Sequence, residues 1–251
     1  MTHPKPTVTV ITALYNSADF IGDTIESVQA QTFSDWEMLL VDDCSSDRSA
    51  EIVAAYAAAD SRVRPIQLAE NSGPAVARNR AIEEARGRYI AFLDSDDRWR
   101  PEKLQRQLAF MQEHDYPFTH TWYEKCAESG ERLGLVMHPP AVLNYHELLK
   151  SNRIGCLTVI YDSAALGKVY MPLIRKRQDY GLWLKIMRSG VSARCLPENL
   201  ALYRVRSGSV SQNKLDLVKY NWTLYRKIEH LSFFHSVWYL LYVIIRKLRH
   251  G

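Results

Sequence analysis

Long apolar runs are missing from this 251-residue sequence. No stretch reaches the roughly 20 residues that span a bilayer as a helix. The N-terminal "MTHPKPTVTV" lacks the basic, apolar and small-residue blocks of a signal peptide, so a cytoplasmic protein is expected. Cysteine is sparse: Cys44, Cys126, Cys156 and Cys195 are scattered, with no CxxC pair. That spacing excludes a disulfide framework and a CxxC zinc site and predicts reduced, partly buried thiols. The eight histidines form no HExxH pair, and neither GxxxxGK[ST] nor GxGxxG occurs. "RSGSVSQ" is not a GxSxG nucleophile elbow. No internal repeat or low-complexity stretch is present.

Charge of one sign is also missing from most of the chain. The formal net charge is +4, yet residues 211–251 alone carry +5, from seven Lys/Arg against Asp216 and Glu229. Residues 1–210 therefore sum to −1. A nucleic-acid groove on the main domain is not expected.

Alternating strand and helix patterns fill the first 114 residues. Strands are predicted at 7–13 ("TVTVITA"), 37–43 ("EMLLVDD"), 62–68 ("RVRPIQL") and 88–94 ("RYIAFLD"). Helices are predicted at 19–31, with Ile21, Ile25 and Val28 on one face, and at 49–60, 73–87 and 101–114. Pro74 near the start and Gly87 at the end of the third helix follow the usual asymmetry. Such alternation implies βαβ units and a mostly parallel sheet with helices on both faces. The apolar 88–94 strand is predicted to be central. Residues 115–178 show no clear period. A helix returns at "QDYGLWLKIMRSG", with Leu182, Ile186 and Trp183 facing inward.

In such sheets ligands bind beyond the carboxyl ends of the strands. There the sequence places "ALYN", "VDDCSSD" and "DSDD". The last is costly: two like charges about 5 Å apart repel by roughly 3 kcal/mol at an effective dielectric near 20. A solvated turn is one reading. An EF-hand is excluded, because counting from Asp94 puts Trp99 where the loop needs Gly and Gln105 where it needs Glu. A Mg²⁺ or Mn²⁺ site shared with a substrate diphosphate is the third, since such ions take one or two carboxylates. A strand-end DxD also occurs in haloacid-dehalogenase-type phosphatases, but there it is expected after the first strand and not the fourth.

The segments "VTVITALYNSADFIGDTIESVQAQTFSDWEMLLVDDCSSDRS" and "NSGPAVARNRAIEEARGRYIAFLDSDD" resemble, in order and spacing, the family 2 glycosyltransferases of GT-A fold used in bacterial surface-polysaccharide assembly. "RQDYGLWLKI" and "YRVRSGSVS" resemble later motifs of that family. The resemblance implies a GT-A-like domain over 1–210 with a helical extension at 211–251. It implies an inverting transfer from a nucleotide-sugar, most often a UDP-sugar, to a hydroxyl of a glycan or polyprenyl-diphosphate-linked acceptor.

The resemblance also assigns roles. Tyr15 offers a ring to the base, with Ala13 just before it. Asp43, less so Asp42, accepts the uracil N3–H; alternatively, both belong to a helix N-cap cluster. Asn71, Gly73 and Arg78 approach the base or phosphates. Asp94 and Ser95 face the ribose or donor sugar, Asp96 contacts Mn²⁺ or Mg²⁺, and Asp97 stands beside it as a supporting or sugar-binding group. Asp179 is the general base; on its sequence alone it also suits a helix N-terminal acid stabilised by the dipole. Arg206 stands where the family usually has His. An Arg cannot ligate a metal but can grip phosphate with two hydrogen bonds, so Arg206, with Arg204 as the weaker candidate, is assigned to the diphosphate. The alternative from another class is a catalytically silent nucleotide-sugar-binding scaffold. A nucleotidyltransferase is disfavoured, as no glycine-rich entry loop is present.

The tail is the remaining signal. Leu231, Phe234, Trp238, Leu241, Tyr242, Ile245 and Leu248 fall on one helical stripe, and "VWYLLYVII" is followed by "RKLRH". This suits an interfacial helix with aromatic anchors and basic flanks, peripheral on the inner face of the cytoplasmic membrane. Docking on the catalytic domain, or on a second copy in a homo-oligomer, is the competing reading.

Overall fold

The computed structural model describes residues 5–206 and 214–250, with side chains except at 214–217 and 246–250. The N-terminal half runs β1 (Val8–Leu14), α1 (Ile21–Gln29), β2 (Trp36–Asp42), α2 (Ser49–Ala59), β3 (Val63–Gln67), α3 (Pro74–Glu84) and β4 (Tyr89–Phe92). Next come β5 (Arg98–Trp99), α4 (Lys103–Glu113), β6 (Phe118–Cys126), β7 (Arg132–Met137), β8 (Val142–Leu143) and α5 (Tyr145–Lys150). The chain continues through β9 (Ile160–Asp162), α6 (Ser163–Leu166), α7 (Gln178–Met187), β10 (Ala193–Arg204), α8 (Lys214–Thr223) and α9 (Phe233–His250).

The strands form one sheet in the order β3-β2-β1-β4-β9-β6-β10-β5, with β7 beside β6 and β8 beside β10. β1, β2, β3 and β4 pair in parallel, as do β6 and β10. β9 lies antiparallel between β4 and β6. The expected mostly parallel sheet with a central β4 is therefore present. The antiparallel insertion arises within 115–178, where β8 and β9 are too short to leave a period.

Successive residues of a strand point to opposite faces, and here both faces are covered. Ile11, Leu39 and Phe92 pack with α3, α5 and α7; Val10, Met38 and Ala91 pack with α1 and α4. All seven residues of β2 are buried. Ile21, Ile25 and Val28 make the buried face of α1, and Leu182, Trp183 and Ile186 are buried in α7, as their spacing predicts.

The C-terminal extension shares this core. Leu224, Tyr225 and Tyr239 are buried against α5 and α7. Tyr225 donates to the Leu149 carbonyl at 2.7 Å, and Tyr180 donates to the Leu148 carbonyl at 2.7 Å. Gly181 permits this approach: a Cβ there would meet Pro172 at 2.4 Å and Leu224 at 3.1 Å. The predicted tail stripe is not the docked face. Ser236, Tyr239 and Val243 are buried, while Phe234, Trp238, Leu241, Tyr242 and Ile245 are exposed. Leu231 packs partly against the core; the Leu248 side chain lies outside the described residues. No helix among the described residues is long and apolar enough to cross a membrane. The four cysteines are free thiols.

Candidate active site

The ends of β1, β2 and β4 deliver their loops to one crevice. Leu14 pairs with Asp42 and Ile11 with Phe92, so Tyr15, Asp43 and Asp94 emerge side by side. The first two loops are tied together. Asn16 N donates to Ser45 Oγ at 3.0 Å, Ser46 N donates to Asn16 Oδ1 at 2.8 Å, and Ala18 N donates to Asp47 Oδ2 at 3.0 Å. Asn16 (φ 47°) and Cys44 (φ 59°) are left-handed, a conformation rare for residues other than glycine. The Tyr15 side chain stands 52% exposed at the rim, while Ala13 is partly buried at the end of β1.

Asp42 and Asp43 are both buried. Asp42 Oδ1 accepts from Ser45 N and Oγ, whereas its Oδ2 is buried without a partner. Asp43 receives the next loop: its Oδ1 accepts from Ser72 N at 2.7 Å and its Oδ2 from Gly73 N at 2.8 Å. Asn71 Nδ2 donates to the Asp43 carbonyl at 3.0 Å. Each Asp43 oxygen keeps a second lone pair for a ligand donor. Gly73, at φ 89°, turns the chain into α3, whose first residue is Pro74.

α3 then sends Arg78 into the crevice, where it forms an ion pair with Asp94 Oδ1. Ser95 Oγ lies 2.8 Å from Ser17 Oγ, linking the turn after β4 to the loop after β1. Asp96 Oδ2 accepts from Arg206 at 3.0 Å. The Arg206 guanidinium also lies 4.4 Å from the Phe20 ring centre. Burial and the neighbouring charge of Asp94 push the Asp96 carboxyl up from the ordinary range, against the opposing pull of Arg206.

Asp97 and Arg204 turn away from the crevice. Asp97 points inward and is fully buried, with Oδ1 accepting from Arg204 N at 2.8 Å. Burial, then the charges of Asp96 and Asp94, push its carboxyl well up. Arg204 is buried too, and its guanidinium is occupied: it donates to the carbonyls of Asp96 (2.8 Å) and Glu128 (2.6 Å) and to Asp23 Oδ2 (2.7 Å). Neither side chain is offered to a sugar or a diphosphate. Together they clamp the acidic turn from behind, which is the supporting one of the two roles the sequence left open for Asp97 and differs from the diphosphate contact expected of Arg204.

Asp179 sits in the first turn of α7, two residues after Arg177, which is left-handed at φ 66°. Burial raises the Asp179 carboxyl, and the charge of Asp94 adds to that; the backbone N–H of Tyr180 and the charges of Arg78 and Arg177 pull it back. Arg78 therefore feels both Asp94 and Asp179. A carboxyl raised in this way is a better proton acceptor than an ordinary aspartate. The sequence predicts Cys156 only as a partly buried thiol, not as a neighbour of this carboxyl. It is buried beside this group, its thiol pushed well up by burial, then by Asp94, with Asp179 also contributing. It lies in the aperiodic 115–178 region, where no sequence signal marked it.

The acidic turn fits a divalent ion. Among the described residues no group of three or more His, Cys, Asp or Glu could hold a metal. Mg²⁺ and Mn²⁺ bound with a diphosphate need only one or two carboxylates. Asp94 and Asp96 keep 28% and 25% of their side chains open to solvent, so an ion can reach both. Asp96, with Asp94 beside it, is the pair that would hold such an ion.

Comparisons with known proteins establish the family and the fold. The family model "Glycosyl transferase family 2" matches residues 9–168. A Bacillus subtilis protein named putative teichuronic acid biosynthesis glycosyltransferase TuaG is 46% identical over 238 residues, covering 95% of this chain and 94% of its own. An Escherichia coli protein named UDP-Glc:alpha-D-GlcNAc-diphosphoundecaprenol beta-1,3-glucosyltransferase WfaP is 39% identical over 207 residues, covering 82% and 80%. Among solved structures, Staphylococcus aureus TarS 1-349 in complex with UDP-GlcNAc superposes with a TM-score of 0.72 at 22% identity, covering 95% of this chain and 71% of that one. The Pyrobaculum calidifontis mannosyltransferase PcManGT in complex with GDP-Man and Mn2+ gives 0.67 at 16% identity, covering 96% and 74%. At these identities the structural likeness is one of fold, and it bears out the GT-A-like architecture.

Proposed function

This chain belongs to glycosyl transferase family 2, and from that premise we propose that it moves a sugar from a UDP-sugar to a hydroxyl of a lipid-linked glycan in surface-polysaccharide synthesis. The observation that carries the reading is the convergence of Asp94, Asp96, Arg78 and Asp179 on one crevice at the strand ends. The choice of UDP is supported by the Asp43 carboxylate, which keeps acceptor capacity for a uracil N3–H, and by the donor in the name of the E. coli relative. The same name supports a diphosphate-lipid acceptor.

In this reading the uracil ring stacks on Tyr15 and its N3–H donates to Asp43. Asn71 and Gly73 shape that wall, with Asp42 supporting the loop beneath. Asp94 and Ser95 position the ribose and donor sugar, and Arg206 faces the diphosphate. Asp179 takes the proton from the acceptor hydroxyl as its oxygen attacks the anomeric carbon. The bond from that carbon to the diphosphate oxygen breaks, and the electron pair leaves with UDP. One displacement by one nucleophile inverts the anomeric centre. Positioned base catalysis of this kind contributes about 10²–10⁴-fold. A divalent ion held by Asp96 and Asp94 would supply Lewis-acid charge for the departing diphosphate.

The exposed face of α9 supports peripheral membrane contact. Phe234, Trp238, Leu241, Tyr242 and Ile245 form an apolar row, and Lys150 lies 5.9 Å from the Trp238 ring and 5.8 Å from that of Tyr242. The sequence adds Arg246, Lys247 and Arg249 beyond. An enzyme whose acceptor is held in a membrane gains from this contact, which concentrates it at its substrate.

The experiment is a panel of nucleotide sugars with Mn²⁺ or Mg²⁺, assayed for binding and for slow hydrolysis. A UDP-sugar engaged in preference to GDP- and CMP-sugars is the expected result. No donor engaged under any metal condition would overturn the proposal.

A further inference from the structure

The side chain best placed to meet a metal is already paired. Asp96 Oδ2 accepts from Arg206 at 3.0 Å, and both side chains remain partly open to solvent, at 25% and 31% exposure. Arg206 is positioned for this from two directions. The Phe20 ring lies 4.4 Å from its guanidinium and 4.9 Å from that of Arg204. Arg204, at the end of β10, fixes the backbone of the acidic turn through the Asp96 carbonyl and the Asp97 carboxylate. The strand that clamps the turn from behind thus delivers, two residues later, a cation to its front.

A guanidinium and a divalent cation repel each other when they share one carboxylate oxygen. One must give way, unless a further anion arrives to hold the displaced charge. A diphosphate is such an anion: it offers oxygens to the metal and a planar, two-point partner to an arginine.

We propose that Arg206 is a built-in counter-ion that competes with the divalent metal for Asp96 and is drawn away by the diphosphate of the donor, so that metal and nucleotide bind as a coupled pair. This rests on the donor reading above. Without nucleotide, Arg206 holds Asp96 and metal binds weakly. With nucleotide, Arg206 moves to the diphosphate and Asp96 is released to the ion. Coupling of this kind is reciprocal: the factor by which UDP tightens Mn²⁺ equals the factor by which Mn²⁺ tightens UDP.

The test is Mn²⁺ titration of the full chain, followed by the electron paramagnetic resonance of free Mn²⁺, with and without UDP and corrected for Mn²⁺–UDP in solution. Wild type is compared with Arg206→Gln and Arg206→Lys, after circular dichroism has established that each is folded. Without UDP, Arg206→Gln should bind Mn²⁺ about tenfold more tightly than wild type, roughly the effect of a few-ångström charge pair at partial exposure. Arg206→Lys, which keeps a positive charge, should stay within about threefold of wild type. Adding Asp96→Asn to Arg206→Gln should abolish the gain. UDP should tighten Mn²⁺ about tenfold more in wild type than in Arg206→Gln. Equal Mn²⁺ affinity of wild type and Arg206→Gln without UDP, or no binding by either, overturns the proposal. Tighter Mn²⁺ in Arg206→Gln with no response to UDP in any variant would uphold the competition at Asp96 and overturn both the coupling and the donor reading.

Discussion

Arg78, in the middle of α3, is ion-paired with Asp94 at the end of β4, and the same guanidinium acts electrostatically on Asp179 at the start of α7. One cation therefore restrains two carboxylates that come from separate parts of the chain. Arg78→Gln leaves Asp94 without its partner and should lower stability by about 1–3 kcal/mol, the range for a hydrogen bond to a charged group. Urea unfolding of wild type and variant measures this. No change in midpoint would show that the pair is solvated and structurally idle.

The pH dependence of turnover follows from the same contact. Asp179 must be deprotonated to accept a proton, so activity falls as pH drops through its pKa. Burial places that limb above the ordinary carboxylate value of 3.8. Removing the Arg78 charge favours the neutral carboxyl further, so the acid limb of kcat should move to higher pH in Arg78→Gln. A limb that stays put would separate Arg78 from Asp179.

His120, on β6, is fully buried, and burial pushes its imidazole down to about 4 against a smaller upward pull from the Thr121 backbone. The unfolded chain binds a proton near 6.5, the folded one only near 4. Stability is then complete above about pH 6.5 and falls as pH drops toward 4, by up to about 3 kcal/mol. His120→Met should remove this part of the acid sensitivity. Urea unfolding at pH 7 and at pH 4.5 measures the difference; identical slopes for the two proteins would count against a neutral buried imidazole.

The two faces of α9 should respond oppositely. Phe234 and Trp238 are exposed, so Phe234→Ser with Trp238→Ser should leave the melting temperature almost unchanged and reduce flotation with anionic vesicles several-fold. Tyr239 is buried against Tyr225, so Tyr239→Ser should cost about 2–4 kcal/mol. Equal flotation of wild type and the double variant would remove the membrane role.

Much of this was legible before the structure. The strand ends carrying Tyr15, Asp43 and Asp94 follow from periods that persist through the first 114 residues. The insertion at 115–178 was not legible, because β8 has two residues and β9 three. The resemblance set Asp96 ahead of Asp97, but the sequence did not show what turns Asp97 away from the crevice. That is Arg204, 107 positions beyond Asp97, whose backbone N–H holds the Asp97 carboxylate inward. Of the tail stripe, Phe234, Trp238, Leu241, Tyr242 and Ile245 share the exposed side of α9, whereas Leu231 precedes the helix and packs partly against the core. Which face docks was decided by Tyr239, whose partners His146 on α5 and Tyr225 are brought to it by tertiary packing.

The role of Asp179 is tested most directly by comparing wild type with Asp179→Asn in two measurements on the same preparation: transfer from the best UDP-sugar, and equilibrium binding of UDP with Mn²⁺. Transfer should fall by about 10²–10⁴-fold while UDP affinity stays within about twofold. Undiminished transfer by Asp179→Asn would contradict a catalytic carboxylate at the head of α7.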